Sequence, residues 1–201
     1  MRILAIAVLT GLIMAAAPAA NAQEQVPDTA AAIFAGGCFW CMEPPFDKLD
    51  GVHATVSGYI GGSAKDADYG RVSSGGTGHY EAVRIEYDPA KIDFATLLEV
   101  FWRNVDPFDG RGQFCDKGPQ YLTAIFALDE TQRKLAEESK AALAARTSEH
   151  GEIRTEILPA SEFYPAEAYH QDYYQKNPVR YKFYSWNCGR AQRLRAIWGK
   201  S

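Results

Sequence analysis

The chain is short of cysteine, has no excess of positive charge and, past residue 22, has no long apolar run. Each shortage excludes something. Four cysteines are too few for a disulfide-built scaffold in a chain of 201 residues, so a hydrophobic core must hold the fold. Lys and Arg number 21 against 25 Asp and Glu, a net charge of −4. A mildly acidic chain of mixed charge gives no reason to expect nucleic acid as a partner. No internal repeat breaks the sequence. One C-x-x-C pair is present, Cys38 and Cys41, but no second pair of ligands follows at zinc-finger spacing, so no metal is expected.

The one long apolar run opens the chain. "MRILAIAVLTGLIMAAAPAANA" has a single Arg, a continuous apolar stretch and a final Ala-x-Ala. This predicts a signal peptide over 1–22, cleaved near Ala22, and an exported, periplasmic protein with no membrane segment in its mature form. Residues 23–30 read as a flexible leader and 31–201 as a single catalytic domain, long enough to bury a real core.

"AAIFAGG" predicts a buried strand ending in two glycines, and "CFWCMEPPFDKL" a helix that starts at Cys38. "GVHATVSGYIGG" and "AVRIEYDP" alternate as strands. "DFATLLEVFWRNV" starts with an Asp cap and gathers Leu97, Leu98, Phe101 and Trp102 on one face, a helix. A strand at "YLTAIFAL", a helix from Asp129, a strand at "IRTEILP" and a short helix ended by Asn177-Pro178 follow. The order β-α-β-β-α-β predicts an α+β fold, a two-layer sandwich on a ferredoxin-like split βαβ core with a C-terminal extension. Two Gly-rich stretches, 58–81 and 106–120, read as long functional loops.

Cys38 follows a strand and two glycines and opens the expected helix. A thiol there faces free backbone N–H groups and the positive helix end, which favour thiolate and nucleophilicity. Neighbouring helical residues point in different directions, so Phe39 and Trp40 are not expected both to turn inward, and one or both can wall an apolar pocket beside the thiol.

"GGCFWCMEPPF", "GYIGG", "GTGHYEAVRIEYDP" and "GQFCDKGPQY" together resemble the peptide methionine sulfoxide reductase A (MsrA) family, over about residues 32–188. The resemblance implies thiol-dependent reduction of methionine S-sulfoxide, protein-bound or free, and repair of oxidised proteins. It implies Cys38 as nucleophile, and Phe39 and Trp40 as the pocket for the substrate methyl group. Glu81 matches the acid that protonates the sulfoxide oxygen. Tyr69 and Tyr121 match its hydrogen-bond donors, and Asp116 a site aspartate. His170 and Tyr173 match a peripheral substrate-binding pair. Sulfoxide oxygen leaves only once protonated, so a carboxyl kept neutral by an apolar surround is the group this chemistry needs.

The chain departs from the commonest pattern of that family in its cysteines. Cys41 stands where Gly usually follows Phe-Trp, Cys115 precedes Asp116, and a Gly-rich cysteine-bearing tail is absent. After attack Cys38 becomes a sulfenic acid that a second cysteine converts to a disulfide. Cys188 is the expected resolving cysteine because the family draws it from the C-terminal segment, with Cys115 and Cys41 as alternatives. The expected enzyme is a monomer with no bound cofactor, renewed by an external thioredoxin-like dithiol. The rival reading is a periplasmic thiol–disulfide oxidoreductase using Cys38 and Cys41 as its dithiol. It leaves Glu81, Tyr69 and Tyr121 without a role.

Overall fold

The computed structural model describes residues 29–199, so the expected signal peptide lies outside the described residues. The first strand, β1 (Ala30–Gly36), starts at the last residue of the segment read as leader. It runs through the middle of a six-stranded sheet ordered β7-β6-β1-β3-β2-β8. The other strands are β2 (Val52–Ile60), β3 (Tyr80–Tyr87), β6 (Thr123–Ala127), β7 (Glu156–Pro159) and β8 (Phe163–Pro165). A separate two-stranded ladder, β4 (Gly112–Gln113) with β5 (Asp116–Lys117), folds up the second Gly-rich stretch.

β1 pairs antiparallel with both β3 and β6, and β2 pairs antiparallel with β3. The order β6-β1-β3-β2 is therefore that of the expected split βαβ core. β7 adds in parallel beside β6, and β8 adds antiparallel beside β2. β1 is apolar throughout because both its faces are covered. Ala32 and Phe34 join the main core, while Ile33 and Ala35 join a smaller cluster with Ile60, Ala82, Ala124 and Phe126.

The main core lies under α3 (Phe94–Arg103) and α4 (Glu130–Arg146). Both helices are capped as the sequence predicts. The Asp93 carboxylate accepts from Thr96 N–H at 2.8 Å, and Asp129 from Gln132 N–H at 2.8 Å. Phe101 stacks on Phe34 at 5.0 Å, and Trp102 Nε1 donates to Ser139 Oγ at 2.7 Å, tying the two helices together.

Two expectations need correction. The helix predicted from Cys38 is broken. Phe39–Cys41 form a 3-10 turn, and α1 (Glu43–Asp47) follows. Pro44 and Pro45 have no N–H to reach back to the Trp40 and Cys41 carbonyls, so the preceding turn closes with tighter bonds. Cys41 N–H donates to Cys38 C=O at 3.0 Å and Met42 N–H to Phe39 C=O at 2.9 Å. At the other end, Pro178 does not stop the chain's helical course. It follows the short α5 (Tyr173–Lys176) and opens α6 (Pro178–Asn187), and α7 (Arg190–Trp198) comes after. The first Gly-rich stretch also holds a short helix, α2 (Tyr69–Ser74).

Candidate active site

Cys38 sits where β1 leaves the sheet. The Gly36-Gly37 step is forced at two points. A Cβ on Gly36 would lie 2.4 Å from Met42 Sδ, and Gly37 has φ +83° with Gln113 Cβ 2.5 Å from where its own Cβ would be. The turn delivers the Cys38 thiol into a nearly closed site, 9% exposed. β3 delivers Glu81 opposite it, 1% exposed. Glu81 Oε2 accepts the Phe39 N–H at 3.1 Å, so the residue after the nucleophile holds the acid in place. Burial, with a smaller push from the Asp116 charge, raises Glu81 to about 8 against the Phe39 hydrogen bond. That keeps the carboxyl in its acid form at neutral pH, the state the family resemblance calls for.

The two thiols of the C-x-x-C lie close enough that each shifts the titration of the other. In a 3-10 turn residues three apart eclipse, which sets the side chains face to face. The thiolate expected at Cys38 is not its resting form. Burial first, then the bond to Cys41 and the neighbouring Glu81, push the Cys38 thiol well above its ordinary value. The short turn supplies too little helix to offset that burial. The hydrogen bond from Cys38, helped by the Arg190 guanidinium and opposed by burial, lowers Cys41 to about 7.

Phe39 and Trp40 do separate. Phe39 is fully buried, against Tyr59 and His170, while Trp40 is half-buried and forms the open wall. His170 and Tyr173 act on that wall. Trp40 Nε1 donates to His170 Nδ1 at 3.0 Å, and the Tyr173 ring stacks on the indole at 3.7 Å. Burial lowers the His170 pKa, in keeping with a neutral ring that accepts at Nδ1.

Tyr69, Tyr121 and Asp116 converge from different elements. Tyr69 opens α2, with its N–H bonded to Glu167 Oε1 at 2.9 Å. Tyr121 ends a 3-10 turn after Pro119, and Asp116 stands on β5. The phenol of Tyr69, raised to about 12 by burial first, feels the charges of Glu81 and Cys38. Tyr121 is raised by burial and then by Glu81, Tyr69 and Asp116. Both phenols stay protonated donors at neutral pH.

Sequence reading missed two residues. Tyr184 of α6 donates to Asp116 Oδ2, and its ring meets the edge of Trp40 at 5.8 Å. Tyr181, one turn earlier, lines a pocket with Cys41 and Arg190. Their spacing in "YKFY" places both on one helix face, which was the available signal. Cys188, at the end of α6, is bonded to Cys115, with the Cα atoms 4.8 Å apart. The cysteine expected to resolve Cys38 is thus paired elsewhere, while Cys41 is free and in contact with it. Among the described residues, Cys115, Asp116 and Cys188 are the one group of potential metal ligands close together, and its two sulfurs are bonded to each other.

The profile of the family described as peptide methionine sulfoxide reductase matches residues 30–201. A relative named peptide methionine sulfoxide reductase MsrA 2, from Caulobacter vibrioides, is 50% identical over 86% of this chain and 87% of its own. An MsrA from Ligilactobacillus salivarius is 53% identical over 75% of this chain and 87% of its own. The fold is similar to reduced Mxr1 from Saccharomyces cerevisiae, with a TM-score of 0.71, 31% identity and 75% and 87% of the two chains covered. It is also similar to methionine sulfoxide reductase A of Corynebacterium diphtheriae, with a TM-score of 0.67, 34% identity and 76% and 77% covered. Since sequence match and fold agree over nearly every described residue, this chain belongs to the peptide methionine sulfoxide reductase family.

Proposed function

We propose that this chain reduces the S epimer of methionine sulfoxide, in oxidised proteins, in peptides and as the free amino acid. The observation that carries the reading is Glu81, a buried acid raised to about 8 and fixed by the backbone of Phe39 beside the Cys38 thiol. Trp40 offers the apolar wall for the methyl group. Tyr69 and Tyr121 donate to the sulfoxide oxygen, and Glu81 gives it a proton. Cys38 gives its thiol proton to water and attacks sulfur as the thiolate. The oxygen is transferred to Cys38 as a sulfenic acid and methionine is released.

Cys41 resolves the sulfenic acid in this reading, in place of the expected Cys188. Its thiol forms a disulfide with Cys38, and the sulfenic oxygen leaves as water. A dithiol of the thioredoxin type then reduces the bridge by exchange and takes up the disulfide. The free and adjacent state of Cys38 and Cys41 supports this order. The rival dithiol oxidoreductase leaves Glu81 and the two phenols idle.

The test uses one enzyme equivalent of a methionine S-sulfoxide peptide with no reductant. Wild type and Cys41→Ser each release one methionine, and Glu81→Gln releases almost none. Full burst release by Glu81→Gln sinks the reading. The apolar run over 1–22 and its Ala-x-Ala end support export to the periplasm, and in this reading the chain acts there as a monomer. Cell fractionation, N-terminal sequencing and light scattering test those points, and a cytoplasmic chain still beginning at Met1 refutes the export.

A further inference from the structure

The C-terminal helix α6 carries a tyrosine for each thiol. Tyr181 and Tyr184 stand three apart, on one helix face. Tyr184 stands on the Cys38 side, bonded to Asp116 and edge-on to Trp40, and Tyr181 lines one pocket with Cys41 and Arg190, so each hydroxyl lies on the side of one sulfur. The helix is held in that position from several sides. Tyr184 donates to Asp116, its ring meets the Trp40 edge at 5.8 Å, and Cys188 at the helix end is bonded to Cys115. Beyond it, the Arg190 guanidinium donates to Asn104 C=O and packs on Phe114 at 4.7 Å.

We infer that Tyr184 and Tyr181 are catalytic residues that serve two different steps, Tyr184 the attack of Cys38 on the sulfoxide and Tyr181 the resolution of the sulfenic acid by Cys41. This rests on the reductase reading and on Cys41 as resolver. A buried sulfur anion needs a donor, and an O–H bond supplies one without adding charge. When Cys38 gives up its proton, the Tyr184 hydroxyl turns from Asp116 to the sulfur. Asp116 is raised by burial toward its neutral form and so loses less when that bond is given up. When Cys41 attacks the sulfenic sulfur, Tyr181 and Arg190 hold its anion until the new S–S bond has formed. The tyrosines move no electrons. The oxygen passes from substrate to Cys38 and then leaves as water.

The experiment separates the steps in the full-length protein, with one equivalent of methionine S-sulfoxide peptide and no reductant. Methionine release reads attack. Mass spectrometry of the Cys38–Cys41 bridge and of Cys38 trapped by a dione probe for sulfenic acid reads resolution. Tyr184→Phe slows methionine release about 10-fold or more, the scale of one lost hydrogen bond to a charged group. It also moves the alkaline rise of Cys38 alkylation to higher pH. Tyr181→Phe leaves methionine release within about 2-fold of wild type but slows bridge formation about 10-fold, so the probe labels Cys38. The groups facing the two sulfurs are Glu81, Asp116, Arg190, Tyr69 and Tyr121, and all are unchanged in both variants. Lys182→Ala, on the exposed side of α6, behaves as wild type. Wild-type rates for both steps and an unmoved alkylation profile in both tyrosine variants overturn the inference. A wild-type burst followed by a bridge from Cys38 to Cys115 or Cys188 sinks the Tyr181 role and Cys41 as resolver together, and leaves the Tyr184 arm standing. A wild type that releases no methionine fails the reductase reading itself.

Discussion

The indole of Trp40 lies flat against the ring of Tyr173, 3.7 Å between centroids and 6° from parallel. With the His170 bond to Nε1, this fixes the wall expected to meet the substrate methyl group. Tyr173→Leu keeps bulk but loses the stacked ring. Aromatic pairs are worth about 0.5–1.5 kcal/mol beyond burial, so KM for the sulfoxide rises about 3- to 10-fold while kcat changes less. An unchanged KM shows that the wall holds without its stack.

Glu81 sets a pH limit. Its acid form is the reactive one, and burial carries that form up to about 8. The first-turnover rate therefore falls as pH rises through 8, from loss of the proton donor. In Glu81→Gln the rate drops by about 10²- to 10⁴-fold, the usual worth of a positioned acid, and this limb of the profile disappears. Stopped-flow measurement between pH 6 and 10 tests both, and a rate that keeps rising past pH 9 in wild type contradicts the assignment.

Glu43 predicts a pH effect on stability instead. It is fully buried, accepts from Ser57 Oγ at 2.8 Å, and has its second oxygen unpaired. Burial raises it from 4.5 to about 7. The folded state thus holds this proton more tightly than the unfolded chain. Its contribution is complete below about pH 4.5, declines as pH rises, and is gone above about 7, a span of ~3 kcal/mol. Glu81 adds the same sign up to about 8. Denaturant unfolding of Glu43→Gln between pH 5 and 8 shows a shallower decline than wild type. A parallel pair of curves rules out the Glu43 share.

The Cys115–Cys188 bridge closes a loop across 73 residues, and a loop of that length stabilises by roughly 2–4 kcal/mol through the unfolded chain. The double serine variant loses about that much in unfolding experiments without reductant. In wild type, reductant causes a drop of similar size. A double variant as stable as wild type argues against the bridge in the folded protein.

The sheet was legible because its strands obey simple patterns. β1 is apolar on both faces, and β2 and β3 alternate. Helices α3 and α4 carry Asp caps and good helix formers. The residues that converge on Cys38 were reached through the resemblance, since the Gly-rich loops around Tyr69 and Asp116 mark a functional region but not which side chain acts. The C-terminal helices were missed for a physical reason. On α6, Val179, Phe183 and Trp186 face solvent while Tyr181 and Tyr184 turn inward, so the apolar pattern does not mark the buried side. The Cys38 thiolate was misread because position along the chain shows a helix start but not the depth of burial that opposes it.

Tyr184, Tyr181 and Cys188 also bear on how the enzyme is made. The ribosome delivers Cys38 and Cys41 early and α6 late. Until α6 docks, both thiols lack the hydroxyls on that helix, and Cys115 lacks its partner Cys188. A chain cut short before α6 carries the dithiol without its partners, so full competence for chemistry waits on a segment made long after the dithiol itself.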